Sequence, residues 1–134
     1  MLKIKKDLGF SLVELMIAVS ILSIGIVAVL GSFLNSAYLL DSLQNRLMAI
    51  NFLEAKISDL RQKAIEEEGV DPDSSQEEIT LGNRLAEFKL EIEPLDVEGL
   101  KDYINKAKLS ISWQEGNKSK EGSLVTYLPR VIKE

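Results

Sequence analysis

The chain contains no cysteine and no histidine. Without cysteine no disulfide framework can form. Without histidine it lacks the usual general base, the common zinc ligand and any Ser-His type of nucleophilic catalysis. Aspartate and glutamate number 21, so carboxylate chemistry is available in principle, but no acidic pair stands out by its spacing. There is no glycine-rich phosphate loop. Asp71-Pro72-Asp73-Ser74-Ser75 opens like a calcium loop, yet glycine would be needed where Gln76 stands and glutamate where Gly82 stands. That stretch reads instead as a polar turn broken by Pro72. Asn117-Lys118-Ser119 fits a glycosylation sequon by pattern alone and carries no functional weight. No catalytic residue, metal site or cofactor is expected. The net charge of −5 lacks the basic footprint of a nucleic-acid-binding protein, so no nucleic-acid partner is expected either. Only three prolines are present, and none falls between Ser11 and Glu68.

What the chain does have is one long apolar run. From Leu15 to Leu34 there is no charged residue, enough to cross a bilayer core as a helix. Lys3, Lys5 and Lys6 precede it, and none follows within it. This asymmetry predicts a cytoplasmic N-terminus and an extracytoplasmic C-terminal part. The run exceeds a secretory signal core and has no small-x-small cleavage site behind it. Glu14 stands at its start, where an acid costs about 3 kcal/mol on insertion scales. A cut between Gly9 and Phe10 would remove the lysines and create an α-amino group four residues before Glu14. That amine would be largely protonated at neutral pH and could neutralise the carboxylate, within one chain or between neighbours. Ser11-Leu12-Val13-Glu14 is also a capping box, so Glu14 could simply cap the start of an anchor helix.

The residues Gly9-Phe10-Ser11-Leu12-Val13-Glu14 resemble the processing motif of the type IV pilin and pseudopilin family. The resemblance implies that a prepilin peptidase cuts after Gly9, that Phe10 becomes the N-methylated terminus, and that Glu14 is the assembly glutamate that meets the amine of an adjacent subunit. Loss of Lys3, Lys5, Lys6 and Asp7 would take the net charge from −5 to −7.

Beyond the apolar run, Leu39, Leu43, Leu47, Ile50, Leu53, Ile57, Leu60 and Ala64 recur at helical spacing, with polar residues on the other face. One continuous helix over residues 11–68 is expected, on the order of 85 Å long, ending at Glu66-Glu67-Glu68 with Gly69 as its C′ residue. The stripe has two readings: a coiled-coil seam for another chain, or the face that closes this chain's own domain. The second is preferred, because residues 69–134 alone are too few for an adequate core. Ala18, Gly25 and Ser32, and Ala28, Ser32 and Ser36, align small residues on one helix face. They suit close packing of neighbouring helices as well as they suit the ordinary composition of a membrane span.

The remainder reads as β. A polar loop is expected to about Glu78. Strands are expected where Phe88, Leu90 and Ile92, then Ala107, Leu109, Ile111 and Trp113, alternate with polar residues, and again over Leu124–Leu128. Pro94 should end the first. Residues 96–105 form a connection with room for a helical turn, and Glu115–Gly122 a charged turn. Trp113 and Tyr127 read as core or cross-strand residues. The expected architecture is therefore α+β and pilin-like. It comprises a cleaved basic leader (1–9), a transmembrane half-helix (10–34), an amphipathic half-helix (35–68) and a small β-rich part (69–134) whose antiparallel sheet packs on the helix.

The stretch Ala49-Ile50-Asn51-Phe52-Leu53-Glu54, with Leu60-Arg61 further on, looks like the post-membrane helix of minor pseudopilin I of type II secretion and of the V-type minor pilins. The absence of cysteine departs from many major pilins. The implied role is a minor subunit at the tip of a type II secretion pseudopilus, assembled with other pilin-like subunits after processing by the peptidase and lifted from the inner membrane by an assembly platform. A minor pilin of a type IV pilus is the alternative. From a different class, an uncleaved single-span anchor for a small binding module also fits these residues.

Overall fold

The computed structural model describes residues 9–131. The expected leader thus lies outside the described residues except for Gly9. The chain divides into two compact units, residues 1–40 and 41–134.

In the first unit the helix α1, Leu12–Glu66, begins. Ser11 starts it: its carbonyl accepts Leu15 N–H at 3.1 Å and its Oγ accepts Glu14 N–H at 3.2 Å, which satisfies a donor that has no partner inside the helix. With no proline to interrupt it, the helix passes through Gly25 and Gly31 unbroken. The hydroxyls of Ser20, Ser23, Ser32 and Ser36 each donate to the carbonyl four residues back, at 2.7–3.0 Å. The surface of this segment is consequently apolar even at its serines, as a lipid environment demands.

The second unit holds the rest of α1 and a four-stranded antiparallel meander: β1 (Asp73–Leu81), β2 (Arg84–Pro94), β3 (Ile104–Glu115) and β4 (Lys118–Pro129), in the order β1-β2-β3-β4. Alternation sets the faces. Phe88 and Ile92, Ala107, Leu109, Ile111 and Trp113, and Leu128 turn inward against Ala49, Leu53 and Ala64 of α1. Lys106 and Lys108 stand outward, opposite Glu93 and Glu91. Ala49, Ala86 and Ala107 are small and almost fully buried, which lets helix and sheet approach closely. Phe52 meets Phe88 edge to face, with ring centroids 5.4 Å apart. The α+β architecture, a long N-terminal helix packed on an antiparallel sheet, is the one expected from the sequence.

Several boundaries differ. Residues 73–78, expected as polar loop, belong to strand β1. Its Asp-Ser-Ser-Gln-Glu-Glu start has little β propensity and both faces are wet, so no hydrophobic period announces it; pairing along β2 holds it extended. The expected turn Glu115–Gly122 shrinks to Gly116 and Asn117, because Glu115 pairs with Lys118 and β4 starts there. Gly82-Asn83 makes the matching two-residue turn between β1 and β2. In both, glycine takes a positive φ, 58° at Gly82 and 61° at Gly116, as the hairpin twist requires. β3 begins at Ile104, not Ala107, and the connection before it is a run of turns closed by Leu100, Tyr103 and Ile104 amides.

The apolar stripe on α1 also divides. Leu53 and Ala64 are buried and Ile57 and Leu60 pack against the core, whereas Leu39, Leu43 and Leu47 are exposed. The buried face runs instead through Asn45, Ala49 and Leu53, one position round the helix from the expected line. Tyr127 is a cross-strand residue opposite Lys106 on the outer face and is exposed.

The helix end departs as well. The left-handed residue is Glu68, at φ 57°, not Gly69. Gly69 serves a different need: a Cβ there would sit 2.5 Å from Val131 N and 2.6 Å from the Arg130 carbonyl carbon. The chain end after β4 passes directly over it, and Val70 N–H donates to the Pro129 carbonyl at 2.9 Å. Nearby, buried Asn105 donates its Nδ2 to the Val70 carbonyl at 2.6 Å.

Leu53→Ala is expected to lower stability by about 3 kcal/mol through the cavity it leaves, while Leu47→Ala changes it by less than about 0.5 kcal/mol. Thermal unfolding of the full chain in detergent micelles, followed by Trp113 fluorescence, checks both. The same assay should show Gly69→Ala costing about 2 kcal/mol or more and Glu68→Gly gaining about 1 kcal/mol.

Candidate functional site

The N-terminal segment brings together the residues singled out by the motif. Gly9, Phe10 and Ser11 precede the first turn of α1 and are exposed. The Gly9–Phe10 bond therefore lies outside the helix, where a peptidase can bind it in extended form. A Cβ on Gly9 would meet nothing within 4 Å, so the fold itself does not call for glycine there. Phe10 is 82% exposed.

Glu14 occupies the third helical position. Its amide is bonded to Ser11 Oγ, and its carboxylate lies in the first turn, where the positive end of the helix dipole favours an anion. The next charged residue along the chain is Asp41. Ser11 thus fills the capping role anticipated for it, and the arrangement leaves the Glu14 carboxylate exposed. Of the expected helix-packing residues, Ala18, Gly25, Ala28 and Ser32 are all exposed. Gly25 leaves a notch flanked by Ile21, Leu22, Ile26 and Val29, and a Cβ there would also meet nothing within 4 Å.

In the second unit a partly buried carboxylate joins the sheet to the helix. Glu115, at the end of β3, accepts Trp113 Nε1–H at 2.9 Å and Asn45 Nδ2–H at 3.4 Å. The Trp113 indole first, then the Ser42 hydroxyl and Asn45, hold its carboxyl below the usual glutamate range against the opposing effect of desolvation. The site fastens the β3–β4 turn to α1 and is structural in character. Asp41 and Arg84 pair nearby at 2.8 Å. Hydrophobic periodicity gave no sign of this network, since its members are polar residues far apart in the chain. Among the described residues, no group of three or more acidic side chains is placed to hold a metal ion.

Residues 4–30 match the family model described as the prokaryotic N-terminal methylation motif. No curated protein and no solved structure matches the chain. The match spans the Gly9–Phe10 junction, Glu14 and most of the apolar run. The helix Leu12–Glu66 is long and apolar enough to cross a membrane, and its apolar part is not buried in the rest of the chain, which fits a single-pass anchored protein. The chain carries a prepilin-type, pilin-like N-terminus.

Because the folded pKa of Glu115 is lowered, its contribution to stability is in place above the unfolded carboxylate pKa and is lost as pH falls through the folded value. Glu115→Gln is expected to be less stable than the parent at pH 7, with the difference closing below about pH 4. Thermal unfolding across that range measures it.

Proposed function

We propose that this chain is a minor, non-enzymatic structural subunit of a pilin-like filament, of the kind that starts or caps a type II secretion pseudopilus and so supports protein export. The observation that carries the proposal is the coincidence of an exposed, pre-helical Gly9–Phe10 bond with a single carboxylate, Glu14, at the head of an uncharged helix within the matched motif. In this reading the basic leader stays cytoplasmic, residues 10–34 span the inner membrane, and the second unit lies in the periplasm.

The peptidase cuts after Gly9 and methylates Phe10. In the bilayer Glu14 is poorly solvated, at a cost of about 3 kcal/mol. Opposite the amine of a neighbouring Phe10 it is paired, so the carboxylate interacts better with the assembled state than with the free one. That difference biases transfer from membrane to filament, while the assembly platform supplies the work. Ala18, Gly25, Ala28 and Ser32 give neighbouring helices a close-approach face. It is suited to the purpose because the Ser32 hydroxyl is already satisfied by Ala28 O at 3.0 Å.

The likeness of Ala49–Arg61 extends to minor pseudopilin I and to the V-type minor pilins alike; the small size and the absence of cysteine agree with minor pseudopilin I, and on them rests the preference for the pseudopilus over a type IV pilus. The residues of Ala49–Arg61 do specific work here: Ala49 and Leu53 are buried, and Arg61 donates to Thr126 Oγ1 at 3.4 Å.

Intact-mass analysis of the protein from its native membrane is expected to show loss of residues 1–9 and one added methyl group. A retained Met1 would leave only a tethered domain. Glu14→Leu is expected to insert and be processed normally yet fail to enter filaments, read by comparing membrane and sheared-filament fractions; normal incorporation contradicts the role given to Glu14.

A further inference from the structure

The sheet has two edges, and they are guarded unequally. β4 carries Lys118, Lys120, Gly122 and Pro129 along its length, features that discourage another strand from pairing. β1 has no lysine, arginine or proline. Its register with β2 runs from Asp73 opposite Ile92 to Leu81 opposite Arg84 without a bulge. Only Leu81 of its nine residues is buried, so it contributes little to the core while presenting a straight row of outward backbone N–H and C=O groups.

Its side chains carry a consistent charge. Asp73, Glu77 and Glu78 are its only ionisable residues. Glu78 lies directly opposite Glu87, an unfavourable like-charge pair. Gln76 donates to Glu87, but the Glu78 carboxylate has no hydrogen bond or ion pair among the described residues. On the helix-facing side, a cavity of about 230 Å³ opens between α1 and β1, with Leu60, Phe88 and Leu90 among its lining.

We infer that β1 is a docking edge for an extended segment of another polypeptide, in which lysine or arginine alternates with apolar residues. The segment adds as a fifth strand. Backbone hydrogen bonds hold it, and the period of two sorts its side chains: basic residues meet Glu78 on the outer face, and apolar ones enter the cavity beside Leu60. A second β1 is disfavoured as occupant, since it would bring acid against acid. The β4 of a second copy is disfavoured because Gly122 and Pro129 along β4 guard it against pairing with another strand.

The test uses the full chain in zwitterionic nanodiscs and a nine-residue, end-capped peptide of alternating valine and lysine, with a valine–glutamate peptide as control. Binding is read by amide hydrogen exchange. Slowed exchange at alternate residues of Asp73–Leu81, with β4 unchanged, is the expected result for the lysine peptide only. Glu78→Lys should weaken binding by about fivefold, as one cross-strand attraction becomes repulsion. Its own fold is protected, because the new lysine faces Glu87; unchanged exchange in β2 and β3 verifies this. The inference is overturned by an absence of β1 protection at millimolar peptide, by equal binding of the glutamate peptide, by an unaltered Glu78→Lys, or by protection of β1 through self-association without peptide.

Discussion

Along the uncharged run from Leu15 to Leu34 a polar group in lipid has to be satisfied by the helix that carries it. A lipid environment supplies no donors or acceptors. This constraint explains the absence of proline, the four serine hydroxyls turned back onto carbonyls four residues earlier, and the Ser11 cap at the entrance. It also isolates Glu14. A carboxylate has acceptors only, so it cannot discharge itself onto carbonyls as a serine does. In the proposed function, the terminal amine of Phe10 would be the group of opposite sign that meets it.

From Asp41 onward the same helix obeys a different rule. One stripe is covered by the sheet and the rest is wet, and the covered stripe is set by packing with β2, β3 and β4 rather than by hydrophobicity alone. Small Ala49 and polar Asn45 lie beneath the sheet while Leu43 and Leu47 stay outside. The heptad-like reading therefore found Leu53, Ile57, Leu60 and Ala64 but missed Asn45 and Ala49. Helix geometry ranks a face by what presses on it, and Asn45 is buried because Glu115 accepts its amide.

The legible parts were those carried by a strong local pattern. The apolar run, the alternation in β2 and β3 and the Gly9–Glu14 motif could each be read residue by residue. β1 was illegible because an edge strand with two wet faces has no hydrophobic period; its cue was the turn, since Gly82-Asn83 and Gly116-Asn117 are both two-residue hairpin signals. Gly69 was assigned the wrong reason, because a close approach by the backbone of Arg130 and Val131 comes from distant sequence and leaves no local trace. At the N-terminus the motif named the residues, and the structure adds that, among the described residues, nothing lies within 4 Å of where a Cβ on Gly9 would sit.

The fastening of the helix to the sheet has a mechanical consequence. At one end Asp41 and Asn45 hold Arg84 and Glu115; at the other, Val70 is gripped by Asn105 and Pro129. The part of α1 from Asp41 to Glu66 thus runs alongside β3 in the opposite sense, tied at its start and, just past the helix end, at Val70. Tension applied along its axis would have to slide it across the strands and rupture both anchorages together, instead of peeling one contact after another. A domain built this way resists traction best in the direction in which its own helix would pull.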